Sequence, residues 1–140
     1  MSSYAAVIPL WMKSLLHQDP CYINGNGLYT RDFCYVEDIV QANIKAALCE
    51  YPQAYGDVFN IAFGKKTTLL ELYTLIRDYV GVDLNPLHRE NRRGDVEHSH
   101  AHIEKARDLL GYAPLYSLEN GLKITIDWFQ KNLSGDLYPS

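Results

Sequence analysis

Thr68-Leu69-Leu70-Glu71 has the form of a capping box. A threonine hydroxyl can take the amide three residues on, and the glutamate can reach back to the threonine's own amide. Leu69, Leu72, Tyr73, Ile76 and Val80 then recur at the 3.6-residue period, and Gly81 offers the positive φ that ends a helix. Both ends of this helix are specified locally, so the rest of the chain must be arranged around it.

Other elements follow from the same logic. Over 4–17, Val7, Leu10, Trp11 and Leu15 keep helical spacing, with Pro9 tolerable in a first turn, and His17-Gln18-Asp19-Pro20 stops the helix. Cys21-Tyr22-Ile23 is short and β-prone. Asn24-Gly25-Asn26-Gly27 is a turn signal, because Asn and Gly accept positive φ. Thr30–Val36 reads as a second strand, and the two could close a hairpin. Glu37 and Asp38 suit a helix N-terminus; Val40, Ile44, Ala47 and Leu48 then form one apolar stripe that ends at Pro52. Asp57–Ala62 reads as a buried strand. Residues 82–99 read as an extended loop, since Pro86 is barred from a central strand. Ile103, Ala106, Leu109 and Leu110 mark a short helix stopped by Gly111. Ser117 can cap a last helix whose face is Leu118, Leu122, Thr125, Ile126 and Phe129, and the tail from Ser134 reads as frayed.

The chain has 140 residues, 47% hydrophobic and 21% charged, which suits one globular domain over 1–140. A net charge of -4 argues against nucleic acid or an acidic membrane as partner. No apolar run reaches the ~18 residues that span a bilayer, and no basic, then apolar, leader opens the chain. Cys21, Cys34 and Cys49 read as reduced, partly buried thiols of a cytoplasmic protein.

Against this acidic background, Arg89-Glu90-Asn91-Arg92-Arg93-Gly94-Asp95 concentrates cations in a polar loop. Guanidinium forks hold phosphate oxygens in bidentate fashion, and a glycine beside them admits close approach of a ligand. Asp95 can accept from a sugar hydroxyl. Taken alone, the loop also reads as an exposed charged turn. His98, His100 and His102 would share a face on a strand and raise a metal reading, but a helix beginning within this stretch would splay them.

Several blocks together resemble a known family. Tyr22-Ile23-Asn24-Gly25-Asn26-Gly27, then Arg31-Asp32-Phe33-Cys34-Tyr35-Val36-Glu37-Asp38, resemble the mid-chain signature of extended short-chain dehydrogenase/reductases, the NAD-dependent epimerase/dehydratase family. Val58–Ile61, the Thr68–Glu71 cap, Arg92-Arg93-Gly94-Asp95, Lys105–Pro114 and Ser117–Leu122 resemble its later blocks in the same order. The flavour is that of UDP-N-acetylglucosamine 4-epimerases. The resemblance implies an α/β chain, a mostly helical substrate-binding part with a few short strands, without the N-terminal Rossmann half. No tyrosine here has lysine four residues on, and no Gly-x-x-Gly-x-x-Gly occurs. The family's catalytic Tyr-x-x-x-Lys and its NAD loop are therefore expected elsewhere in a longer parent, with no catalytic residue, cofactor contact or metal on this chain.

By the same resemblance, Arg31 and Arg92 grip the UDP diphosphate and Asp95 holds the ribose, a turn or cap role being its alternative. Tyr22 and Asn24 share one face of a strand that borders the uracil, with packing the alternative for Tyr22. Val7 opens the helix beside the nucleotide, or simply packs in the core, and Arg93 faces solvent. Ser99 leaves room for an N-acetyl group. The implied parent is a cytoplasmic homodimer that supplies sugars for polysaccharides, and this chain alone would be inactive and self-associate through apolar faces. A dehydratase, decarboxylase or reductase of the same superfamily, or a non-catalytic nucleotide-sugar-binding module, is the competing reading.

Overall fold

The computed structural model of the protein describes residues 6–92 and 94–132. Arg93, the start of the first expected helix and the tail beyond Ser134 lie outside the described residues. The elements run α1 (Val7–Leu16), β1 (Tyr22–Asn24), β2 (Thr30–Arg31), α2 (Val36–Ala47), a 3-10 turn (Pro52–Ala54), β3 (Thr67–Thr68), α3 (Leu69–Val80), β4 (Leu87–Arg89), α4 (Glu104–Leu110) and α5 (Leu118–Asn132). The chain divides into two compact units. Described residues of the first are 6–29, 68–92, 94–96 and 122–132; those of the second are 30–67 and 97–121.

In the first unit, α3 forms as its sequence dictates. Glu71 N donates to Thr68 Oγ1 at 3.1 Å and Thr68 N donates to Glu71 Oε2 at 2.7 Å. Gly81 closes the helix in the left-handed region, φ 78°, its amide on Arg77 O at 2.9 Å. Its buried face, Leu72, Tyr73 and Ile76, meets Trp11, Met12 and Leu15 of α1. Trp11 stands edge-on to Tyr73 at 5.4 Å and donates its indole N–H to Tyr22 O at 3.0 Å, so the helix pair is fastened to β1. In α5, Leu122, Ile126 and Phe129 are buried, as their spacing predicts.

The expected hairpin does not form. β1 pairs in parallel with β4, Ile23 opposite His88 and Asn24 opposite Arg89, while β2 pairs with β3. The Asn-Gly-Asn-Gly turn commits its backbone differently: Leu70 N donates to Gly27 O and Leu69 N to Tyr29 O, both at 3.0 Å. The turn leads into the entrance of α3 instead of folding back on β1. Within the extended loop expected over 82–99, Leu87–Arg89 forms the strand β4; Pro86 precedes it and loses no ladder bond.

The second unit is built around small side chains. Ala42, Ala54, Ala62, Ile103, Ala106, Leu110 and Tyr112 form its buried cluster, with α4 against α2 and the 3-10 turn. The expected strand at 57–62 is irregular, and Val58 is 81% exposed. Side chains take its carbonyls where a neighbouring strand would: Lys105 Nζ donates to Val58 O at 3.1 Å and the Tyr112 hydroxyl to Ala62 O at 2.9 Å. The expected strand at 30–36 stops at Arg31 because the Asp32 carboxylate leaves the ladder and accepts the amides of Phe63 and Gly64 at 3.1–3.2 Å. Asp38, fully buried in α2, accepts from Leu115 N at 2.7 Å and Tyr116 N at 3.3 Å.

Burial first, and then its contact with the Cys34 thiol, push the Tyr112 phenol well above the ordinary tyrosine range. A pKa raised by folding contributes stability that is fully present below the unfolded value of about 10 and is lost as pH rises past it. Urea midpoints of the protein should therefore fall between about pH 9 and pH 11, and more shallowly in Tyr112→Phe. Identical slopes in the two proteins would contradict this.

Candidate functional site

The expected substrate residues divide between the two units. In the first, β1 turns Ile23 inward and leaves Tyr22 exposed and Asn24 half-buried on the opposite face. The Asn24 amide nitrogen lies 3.5 Å from Asp95 Oδ2, which brings the strand residue and the loop acid together across 71 positions of sequence. Asp95 N closes a turn onto Arg92 O at 3.1 Å, with Gly94 at φ 91°. Arg92 itself is exposed. Val7, half-buried, opens α1, whose N-cap is Ala6.

One residue that sequence reasoning passed over joins this group. Arg89 Nε donates to Asn24 Oδ1 at 2.6 Å, and its guanidinium carbon sits 5.4 Å from the centre of the Tyr22 ring. In the sequence it opens the cation-rich stretch 89–95, with nothing local to tie it to Asn24. Only the parallel pairing, with Gly25 N on Arg89 O at 2.8 Å, sets it opposite Asn24. Gly25 is fixed as well: its φ is 68°, and a Cβ there would come within 2.0 Å of Asn91 Oδ1. His88 Nδ1 sits 2.7 Å from Gly25 O.

In the second unit, Arg31 is half-buried and donates to its neighbour Thr30 O at 2.8 Å and to Glu97 O at 3.4 Å. Ser99 N donates to Thr30 O at 3.1 Å, so Ser99 lies beside the Arg31 strand, exposed. The three histidines take different partners, although the rings of His100 and His102 meet edge-on at 5.6 Å. His98 pairs with Thr30 Oγ1 at 3.0 Å, His100 with Gly64 O at 3.3 Å, and His102 with Glu104 at 3.7 Å. The helix after them begins at Glu104 without a side-chain cap. Among the described residues no group of three or more His, Cys, Asp or Glu is placed to hold a metal. An open groove of about 390 Å³ at the C-terminal end of α2 is lined by Lys45, Leu48, Cys49, Tyr51 and Leu109, none of them an expected substrate residue.

The five helices and four short strands, among the described residues, match the C-terminal, mostly helical part of solved epimerase structures. Residues 1–62 match the model of the NAD dependent epimerase/dehydratase family. A putative UDP-glucose 4-epimerase of Methanocaldococcus jannaschii is 31% identical over 91% of this chain and 40% of its own length. The Thermotoga maritima UDP-glucose 4-epimerase, solved with UDP-glucose, superposes with a TM-score of 0.86 at 36% identity, over 94% of this chain and 41% of that one. A UDP-N-acetylglucosamine 4-epimerase from Methanobrevibacter ruminantium, solved with UDP-N-acetylmuramic acid, gives 0.84 at 35%, over 93% and 41%. The chain thus spans about 40% of the length of these curated relatives. Among the described residues no helix is long and apolar enough to cross a membrane.

Proposed function

We propose that this chain is the substrate-binding portion of an NAD-dependent, cytoplasmic UDP-sugar 4-epimerase, with UDP-N-acetylhexosamines as the substrate class. The observation that carries the reading is the approach of Asn24 to Asp95. Two residues assigned to base and ribose from separate blocks of sequence lie in one place. In the first unit the family resemblance gives Arg92 to the diphosphate and Asp95 to the ribose; in the second, taken by itself, it gives Arg31 to the diphosphate and the small Ser99 to the sugar's C2 substituent. Bound NAD supplies the hydride chemistry in this reading. The present residues orient the UDP handle, which is binding energy applied away from the reacting carbon. The chain by itself then has no epimerase activity.

Calorimetry with UDP tests the assignment. UDP should bind, and Arg92→Ala or Arg31→Ala should each weaken binding about 10- to 100-fold, the loss of a charge-assisted pair. Absence of heat at millimolar UDP, or unchanged affinity in both variants, would overturn it.

A further inference from the structure

We infer that Arg89 is a positioning residue that fixes which edge of the Asn24 amide is offered to a ligand. The chemistry of its neighbours permits one orientation. A guanidinium carries donors only, so the Asn24 atom 2.6 Å from Arg89 Nε must be the oxygen. A carboxylate accepts only, so the atom facing Asp95 Oδ2 must be the nitrogen. Both sides demand the same rotamer. The Asn24 carbonyl is thereby committed to protein, and of the two hydrogens on Nδ2 at most one is directed at Asp95. What the strand presents outward is a hydrogen-bond donor.

The same guanidinium lies over Tyr22, the other outward residue of β1, so one side chain holds both. Cation–π contact and hydrogen bond together restrict side chains that would otherwise rotate in an exposed place. The backbone beneath is fixed by the β1–β4 register and by the turn at Gly25. A ligand that meets this face needs a flat ring bearing a carbonyl oxygen, which is the chemistry of a keto pyrimidine. This rests on the reading that β1 borders the base of a nucleotide.

The test follows the Asn24 side-chain amide by ¹⁵N nuclear magnetic resonance, its signals assigned by their loss in Asn24→Asp, together with UDP affinity. In the unaltered chain, UDP should displace the Asn24 amide signals. Arg89→Leu should weaken UDP about 10-fold, the scale of one hydrogen bond, and draw the two Asn24 amide protons toward the shifts of a freely rotating side chain. Arg89→Lys, which keeps a donor, should stay within about 3-fold. Unchanged UDP affinity in Arg89→Leu overturns the inference. So does weakened affinity with Asn24 signals that UDP never moves, because Arg89 would then act on the phosphates directly. Either outcome leaves the substrate assignment standing, whereas no UDP binding by the unaltered chain removes both.

Discussion

Asp38→Ala should destabilise the protein by about 2–4 kcal/mol, measured as a lower urea midpoint at unchanged slope. Asp38 is 0% exposed. Its two oxygens take separate amides, those of Leu115 and Tyr116, in a segment 77 and 78 residues away. Removing the carboxylate leaves both donors without a partner, and an unmet buried donor costs about 1–3 kcal/mol. The exposed Leu115 side chain shows that water can reach part of this segment, which places the expectation below the sum of two full penalties. Asp38→Asn keeps one carbonyl oxygen and should lose about half as much. Glu37, its neighbour, binds the Tyr116 hydroxyl, so the two acids together fasten the start of α2 to the 115–116 segment. A loss under about 0.5 kcal/mol for Asp38→Ala would mean that the segment is held by other contacts.

The second large effect concerns association. Val36, Val40 and Ile44 of α2 and Leu48 at its C-cap stand four residues apart and are 62%, 51%, 55% and 75% exposed. The opposite side of the helix holds Asp38 and Ala42 inward. An amphipathic helix normally turns its apolar stripe to the core; here the stripe faces solvent, with Val58 exposed in the same unit. A contiguous exposed stripe of this kind favours association. Light scattering of the chain at about 100 µM should therefore give a mass above one copy, and Val40→Lys with Ile44→Glu should restore the mass of one and weaken association at least ~10-fold. Uniform single-copy mass for the unaltered chain would refute this. Neither Val40 nor Ile44 is among the buried core residues.

The helices were legible because what defines them lies within a few residues. α3 carries its own capping box and its own glycine stop, and every bond involved spans three or four positions. The stops at Gly111 and the Ser117 bond to Asn120 N at 3.2 Å are local in the same sense. The α2 stripe was legible as a pattern, and its exposure was expected only through the family resemblance: periodicity says that one face is apolar, and only packing says whether anything covers it.

Strand pairing depended on the tertiary structure, and so did the composition of the candidate site. An Asn-Gly-Asn-Gly turn is as compatible with a hairpin as with the course the chain takes. What decides is that the Leu69 and Leu70 amides, at the start of α3, donate to Tyr29 O and Gly27 O, and that β4, more than 60 residues later, fits beside β1. The residue types at Arg31, Arg92 and Asp95 are read directly from sequence. The place of Arg89 against Asn24 and Tyr22 is not, because a parallel register is fixed by contacts between distant segments. Local bonding determined the helices and their ends, while long-range hydrogen bonds decided which strands meet and which polar groups come together.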